Sequence, residues 1–315
     1  MEIAPEPTSE ARAANNRIRQ IAWIVIAVLI VFFLGLGIGY LQWGQDEIAE
    51  LKQQKELTSI YEQVNPKDGH ALSVTYGELG PRLIEGGVIS YDAFAAIYEK
   101  SGNPLSAEQT EILKNGSDEE IIISAENAHY LLNFFWAVGL ANKNSILTDG
   151  PMVQNSNGQI ERFASTGGWS LATKPITELY ASMDLIPLTA DQQELVEEVA
   201  AAIYRPCCNN HTLFPDCNHG MAMLGILELL ASQGATAHEM FEAAKYINAY
   251  WFPQQTLETA MYLKLNEGTD FVNTDAKLVV SDKLSSASGA SMVHADLDAK
   301  GLLKQSPGQG GSCAN

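Results

Sequence analysis

Ile21 to Leu41 reads IAWIVIAVLIVFFLGLGIGYL, 21 residues without a charge. At 1.5 Å of rise per residue a helix of this length covers about 30 Å, the hydrocarbon thickness of a bilayer. A core helix so long would carry a polar face, and this stretch has none. Trp23 lies near one end, and Tyr40 and Trp43 near the other, where aromatic rings anchor at membrane interfaces. Residues 21–43 therefore read as a transmembrane helix, and that reading decides the organisation of everything after it.

The apolar region of a cleaved signal peptide is shorter, about 7–15 residues, and ends at small residues. Here the run ends in Tyr40-Leu41-Gln42-Trp43, so the segment is expected to stay as a signal anchor. No cysteine precedes Cys207, so there is no lipoprotein attachment site near the span. Arg12, Arg17 and Arg19 precede the span; Asp46, Glu47 and Glu50 follow it, ahead of Lys52. Positive flanks stay inside, which makes residues 1–20 a cytoplasmic tail. The main domain is expected in a periplasm, an extracellular space or an organelle lumen, as part of a single-pass membrane protein. Membrane lipid is the expected partner of residues 21–43. Gly35 and Gly39 form a G-x-x-x-G step that would let a second copy, or another membrane protein, approach the helix closely.

The chain has 19 basic and 38 acidic residues, a formal charge of −19. Such a surface repels nucleic-acid phosphates, and no basic cluster interrupts it, so a nucleic-acid partner is not expected. The exported part is long enough to bury a core of its own.

Helix signals dominate from residue 44 onward. Residues 44–65 read as a membrane-proximal helical linker, closed by the turn Asn65-Pro66-Lys67-Asp68-Gly69. Residues 66–300 read as a helical exported domain. Ser90 caps one helix; Ser106 with Gln109, Thr189 with Gln192 and Thr236 with Glu239 form capping boxes. The apolar AENAHYLLNFFWAVGLA, residues 125–141, suggests a buried central helix. Pro253 and Gly268 stop two further helices. One β-hairpin is expected within residues 151–163, PMVQNSNGQIERF, around Asn157-Gly158. The same stretch fails as a calcium loop, because Val153 and Ala164 stand where oxygen ligands are needed. The fold class is thus mainly α, with a small β-hairpin. Residues 301–315 read as a Gly-rich flexible tail ending in Cys313.

The chemistry concentrates in RPCCNNHTLFPDCNHGMAM, Arg205 to Met223, which holds three of the four cysteines and two of the six histidines. The preceding helix is expected to end at Tyr204-Arg205-Pro206, and the next to start near Asn218, capped by Asp216 or Asn218. Cys217 would then sit at a helix N-terminus, where free N–H groups and the dipole favour a thiolate. Three readings follow. Cys207, Cys208, His211, Cys217 and His219 hold a soft metal ion, copper or zinc, with Cys208/His211 and Cys217/His219 as chelating pairs. Alternatively, the cysteines are structural disulfides. Adjacent residues sit too close to bridge each other, so one of Cys207 and Cys208 would pair with Cys217 and the other with Cys313. The short bridge would contribute roughly 2.7 kcal/mol and the long one roughly 4.7 kcal/mol. The protein is then a non-enzymatic interaction domain of a membrane complex. In the third reading Cys217 is an attacking thiolate in thiol redox chemistry, with His211 or His219 as base.

His129 is expected in the core, and His70, His238 and His294 at the surface. Met221, Met223, Leu224 and Leu227 read as packing residues rather than ligands. No phosphate loop, G-x-S-x-G elbow or H-E-x-x-H motif occurs.

Overall fold

A computed structural model describes residues 9–303, without the side chains of 11–14, 41–44, 46 and 50. The side chains of Arg12, Trp43, Asp46 and Glu50, and the tail carrying Cys313, lie outside the described residues. The chain divides into two units, residues 1–59 and 60–315.

The described part of the first unit is helical, and the helix α1 runs over Ser9–Val64. Its segment Asn15–Tyr40 is long and apolar enough to cross a membrane, and none of it is buried. The absence of a polar stripe explains this: no face is distinguished, so no face seeks a core.

The second unit begins at Ile60, where α1 acquires a buried side. Ile60 and Val64 are buried there, and Asn65 Nδ2 donates to the Ala249 carbonyl at 3.0 Å. A two-stranded antiparallel sheet follows, β1 (His70–Gly77) against β2 (Ser117–Ile123). Leu72, Val74 and Tyr76 point to the core on one strand, Ile121 and Ile123 on the other. The small β element exists, but not where the Asn-Gly dipeptide suggested. Its strands are joined by the helices α2 (Leu79–Gly86), α3 (Tyr91–Lys100) and α4 (Ala107–Asn115). Residues 151–163 are instead helical: Pro151 opens a helix over Pro151–Ser156, and a 3-10 turn covers Ile160–Arg162. Asn157 and Gly158, at φ 53° and 77°, end that helix rather than turning a hairpin. Positive φ serves either purpose, and proline at the first helical position decided between them.

The core is organised by α5 (Ala128–Ala141), buried along almost its whole length. It packs on α7 (Asn218–Ser232), which is equally apolar. Glycines let the two backbones touch. A methyl at Gly225 would stand 2.7 Å from the Gly139 nitrogen and 2.8 Å from the Phe135 carbonyl oxygen. Around this pair lie α6 (Ala190–Ala200), α8 (Ala237–Trp251), α9 (Pro253–Glu267) and α10 (Ala287–Ala299), with one- and two-turn helices between. All three expected capping boxes form, and Gly268 ends α9 in the left-handed conformation.

Candidate metal and thiol centre

The loop between α6 and α7 carries the cysteines. α6 ends at Ala200, four residues earlier than the Tyr204-Arg205-Pro206 stop suggested. The freed chain turns back on itself: Thr212 N donates to the Ile203 carbonyl at 2.9 Å and Leu213 N to that of Ala200 at 3.1 Å. Asn248 of α8 clamps the Tyr204 carbonyl at 2.9 Å. In return the loop serves the start of α10, where Ala287 N donates to the Cys208 carbonyl at 2.9 Å. The loop is therefore a braced piece of backbone, and its side chains are held in place.

Cys217 itself is the N-cap of α7; neither Asp216 nor Asn218 is. Its sulfur accepts the Gly220 N–H at 3.3 Å, one of the donors a helix start leaves unpaired. The thiol does the work of a serine hydroxyl, and an ionised sulfur does it better because the dipole favours negative charge there.

The sulfurs of Cys207, Cys208 and Cys217 lie within 4.8 Å of one another. All three cysteines are half-buried and form no disulfide among the described residues, and the Cys207 and Cys217 sulfurs are 3.7 Å apart. His211 and His219 do not belong to this group. The ring of His219 sits against Trp251 and Phe252, with centroids 5.6 and 4.6 Å away. The ring of His211 meets Tyr204 edge-on. The Nδ1 atoms of both are buried without a partner among the described residues. Burial lowers both histidines, His219 to about 4, so both imidazoles are neutral at physiological pH. The structure thus unites the cysteines that spacing assigned to separate chelating pairs.

The residue that sequence reading missed is Arg205. It is fully buried. Its Nε donates to Cys217 Sγ and its Nη2 to Cys208 Sγ, each at 3.3 Å; Nη1 donates to Thr212 Oγ1, also at 3.3 Å. Among the described residues its only carboxylate contact is Asp216, at a long 3.5 Å. Asp216 is held more closely by Asn210 Nδ2, at 2.8 Å. A buried guanidinium needs a countercharge, and the sulfurs are the groups placed to supply it. Cys217 takes that charge. Hydrogen bonds with Cys207 and then Cys208, aided by Arg205 and the Gly220 N–H, hold it well below the usual thiol range against its own burial. Cys207 is pushed up by the same bonds to Cys208 and Cys217 and by burial. Cys208 is drawn down by Cys207, but its bond to Cys217 and burial outweigh this and leave it raised. Asp216 is raised by burial and by the neighbouring Cys217 charge.

The other histidines divide differently from expectation. His129 is exposed, not in the core, because it lies at the open start of α5, where its Nε2 meets Asn133 Nδ2 at 3.3 Å. His70 is half-buried rather than exposed, stacked on Tyr246 at 3.8 Å, and burial lowers it to about 4. His238 and His294 are exposed as expected. Met221, Met223, Leu224 and Leu227 are fully buried packing residues.

No family model, no curated protein and no solved structure matches this chain.

Proposed function

We propose that this is a membrane-anchored protein whose extracytoplasmic domain binds a soft metal ion through Cys207, Cys208 and Cys217. One observation carries the reading: three sulfurs from two points of the chain converge on a common space. Two thiolates bound at 2.3 Å to one tetrahedral ion lie about 3.8 Å apart, and Cys207 and Cys217 already stand at 3.7 Å. A structural bridge needs two sulfurs, and a third drawn into the same space has no role in it. Copper and zinc are the ions that thiolate ligands favour. The imidazoles of His211 and His219 lie outside the sulfur group and are left out of the ligand set.

The location is supported by the apolar stretch of α1, and the basic residues before it and acidic residues after it favour a cytoplasmic N-terminus with the main domain in a periplasm or outside the cell. A methyl at Gly35 or Gly39 would meet nothing within 4 Å, which leaves a small-residue step for a second copy or a membrane protein partner.

The same 3.7 Å separation favours a second reading, thiol–disulfide exchange. The Cys217 thiolate attacks a partner disulfide and displaces one of its thiolates, and Cys207 resolves the mixed disulfide. The chain is left with a Cys207–Cys217 bridge, and the partner with two reduced sulfurs and the Cys207 proton. A bridge of this kind is also one half of the stapled interaction domain; its other half, to Cys313, lies outside the described residues.

Elemental analysis and thiol counting on the full-length chain, purified in detergent, separate these readings. The metal site requires about one copper or zinc per chain, with Cys207, Cys208 and Cys217 shielded from alkylation until a chelator is added. Metal-free protein with Cys207 bridged to Cys217 would sink it in favour of the disulfide readings.

A further inference from the structure

Resting on the metal reading, we propose that the ion is Cu(I), three-coordinate on Cys207, Cys208 and Cys217, with the guanidinium of Arg205 closing the side from which a further ligand would come. Three features of the loop point this way. The first is the donor set. Among the described residues the converging ligand atoms are three sulfurs, with no histidine nitrogen or carboxylate oxygen among them. Zinc in structural protein sites is almost always four-coordinate, and this group offers three donors, with no histidine or carboxylate to complete the set. Cu(I) is a soft ion that thiolates select, and it is satisfied by three of them.

The second feature is the fate of the nearest oxygen donor. Asp216 is adjacent to Cys217 in the chain and would be the natural fourth ligand for zinc. Its two oxygens are already committed, Oδ2 to Asn210 Nδ2 at 2.8 Å and Oδ1 to Arg205 at 3.5 Å.

The third feature is Arg205 itself. A guanidinium has only donors and cannot ligate a cation. Its N–H groups touch two of the three sulfurs, so that side of the triangle presents positive charge instead of a lone pair. Three thiolates around a monovalent ion carry a net charge of −2, which a buried cation offsets. The notch that admits the guanidinium is built into α7: a methyl at Gly220 would stand 2.7 Å from Nη2. Arg205 is thus a positioning residue, acting on the ion through the sulfurs.

The test uses the reduced full-length chain in detergent, under anaerobic conditions. Cu(I) is titrated in competition with bathocuproine disulfonate, and Zn(II) in competition with a chromophoric zinc chelator. Expected are one Cu(I) per chain, an X-ray absorption spectrum with three sulfur neighbours, and displacement of bound Zn(II) by stoichiometric Cu(I). Cys313→Ser should leave Cu(I) affinity within about twofold, whereas Cys217→Ser should lower it by roughly 100-fold or more; Arg205→Lys, which keeps the charge but loses the fork, should cost roughly 10–100-fold, the range for groups that support metal ligands. Zn(II) that resists displacement by Cu(I), a fourth scatterer, or loss of binding in Cys313→Ser would overturn the three-coordinate Cu(I) site while leaving a metal site standing. If wild-type chain with all four thiols alkylatable takes up neither ion, the metal reading itself falls. The decisive comparisons use unaltered chain, so they survive a variant that fails to fold.

Discussion

Gly220 and Arg205 define each other. The guanidinium occupies the volume a side chain at position 220 would need, with Nη2 2.7 Å and Cζ 2.8 Å from where a Cβ would stand. The end of an arginine normally moves aside at little cost. Here it is fully buried and tied to Cys208, Thr212 and Cys217, so moving it breaks those bonds. Gly220→Ala should therefore destabilise the chain by about 1–3 kcal/mol, the usual cost of forcing a methyl into a packed site. Urea denaturation would show it, and unchanged stability would mean the guanidinium is not pinned. Glu228 is a second buried charge-bearing group, on the apolar α7. Neither carboxyl oxygen has a hydrogen bond of normal geometry among the described residues, and burial raises the carboxyl well above the usual range although the amides of Asn142 and Asn144 pull the other way. A raised carboxyl binds its proton more tightly in the folded chain. Its contribution to stability is thus complete below the unfolded pKa near 4.5 and is lost as pH rises toward the folded value. Glu228→Gln should remove that loss, so variant and parent should diverge in denaturation midpoint between pH 5 and pH 8, the variant gaining. Parallel pH dependence would show that Glu228 is ionised at no cost. Of these residues Glu228 was not among the expectations, although it is the lone carboxylate in GMAMLGILELLA. Nor was Arg205, because an arginine before a proline looks like the end of a helix and gives no sign of turning inward. The hint was Gly220, a glycine in the first turn of a helix with no turn to make.

At the scale of elements, local grammar was read well and distant pairing poorly. Capping boxes are local, a side chain answering a backbone group three residues away, and all three are present. β1 and β2 are separated by about forty residues, and their partnership leaves no mark in either stretch. HALSVTYG does alternate, with Leu72, Val74 and Tyr76 buried, but SDEEIII puts an acidic run where a strand signal is sought. The pairing register also slips between Ala71 and Thr75, where Ser73 adopts a positive φ of 56°, although the alternation of buried residues runs on through it. The central pair of helices was half legible. The apolar content of residues 125–141 marked a buried helix, while the glycines that set its distance from α7 carry meaning only once both helices are placed. Gly139 and Gly225 face each other across that contact, and a methyl at Gly139 would run into the Met221 carbonyl oxygen. Backbone cannot step aside as a side chain can. Gly225→Ala should thus cost more than Gly220→Ala, about 3 kcal/mol or above, even though alanine is the better helix former by about 1 kcal/mol. Thermal unfolding of the two variants side by side checks the ordering. A smaller loss for Gly225→Ala would show that α5 and α7 are free to move apart.

For the whole molecule, the organising fact is composition along the chain rather than pattern. An uncharged run of bilayer length announces itself in any register, and so the apolar part of α1 needed no tertiary knowledge to be found. The convergence of three cysteines was partly legible, because a loop of nine residues separates Cys207 from Cys217 and Cys217 stands at the start of a helix. Which sulfurs meet there depended on Arg205 and on the backbone bracing by α8 and α10, and spacing did not separate the three cysteines from the histidines. The proposed copper site can lie outside the cytoplasm only if the span is threaded one way. Arg17 and Arg19 stand before the span, and Glu47 is the first described acidic side chain after it. That charge bias is what holds positive residues on the cytoplasmic side. Expressed in a bacterium, the domain from residue 60 onward should be digested by protease added to spheroplasts, while a cytoplasmic marker in the same sample survives. Replacing Arg12, Arg17 and Arg19 with glutamate, together with Asp46, Glu47 and Glu50 with lysine, should reverse this and protect the domain until the membrane is broken. Protection of the unaltered chain, or digestion unaffected by the reversed flanks, would show that something other than charge sets the orientation, and the placement of the cysteine centre outside the cytoplasm would lose its support.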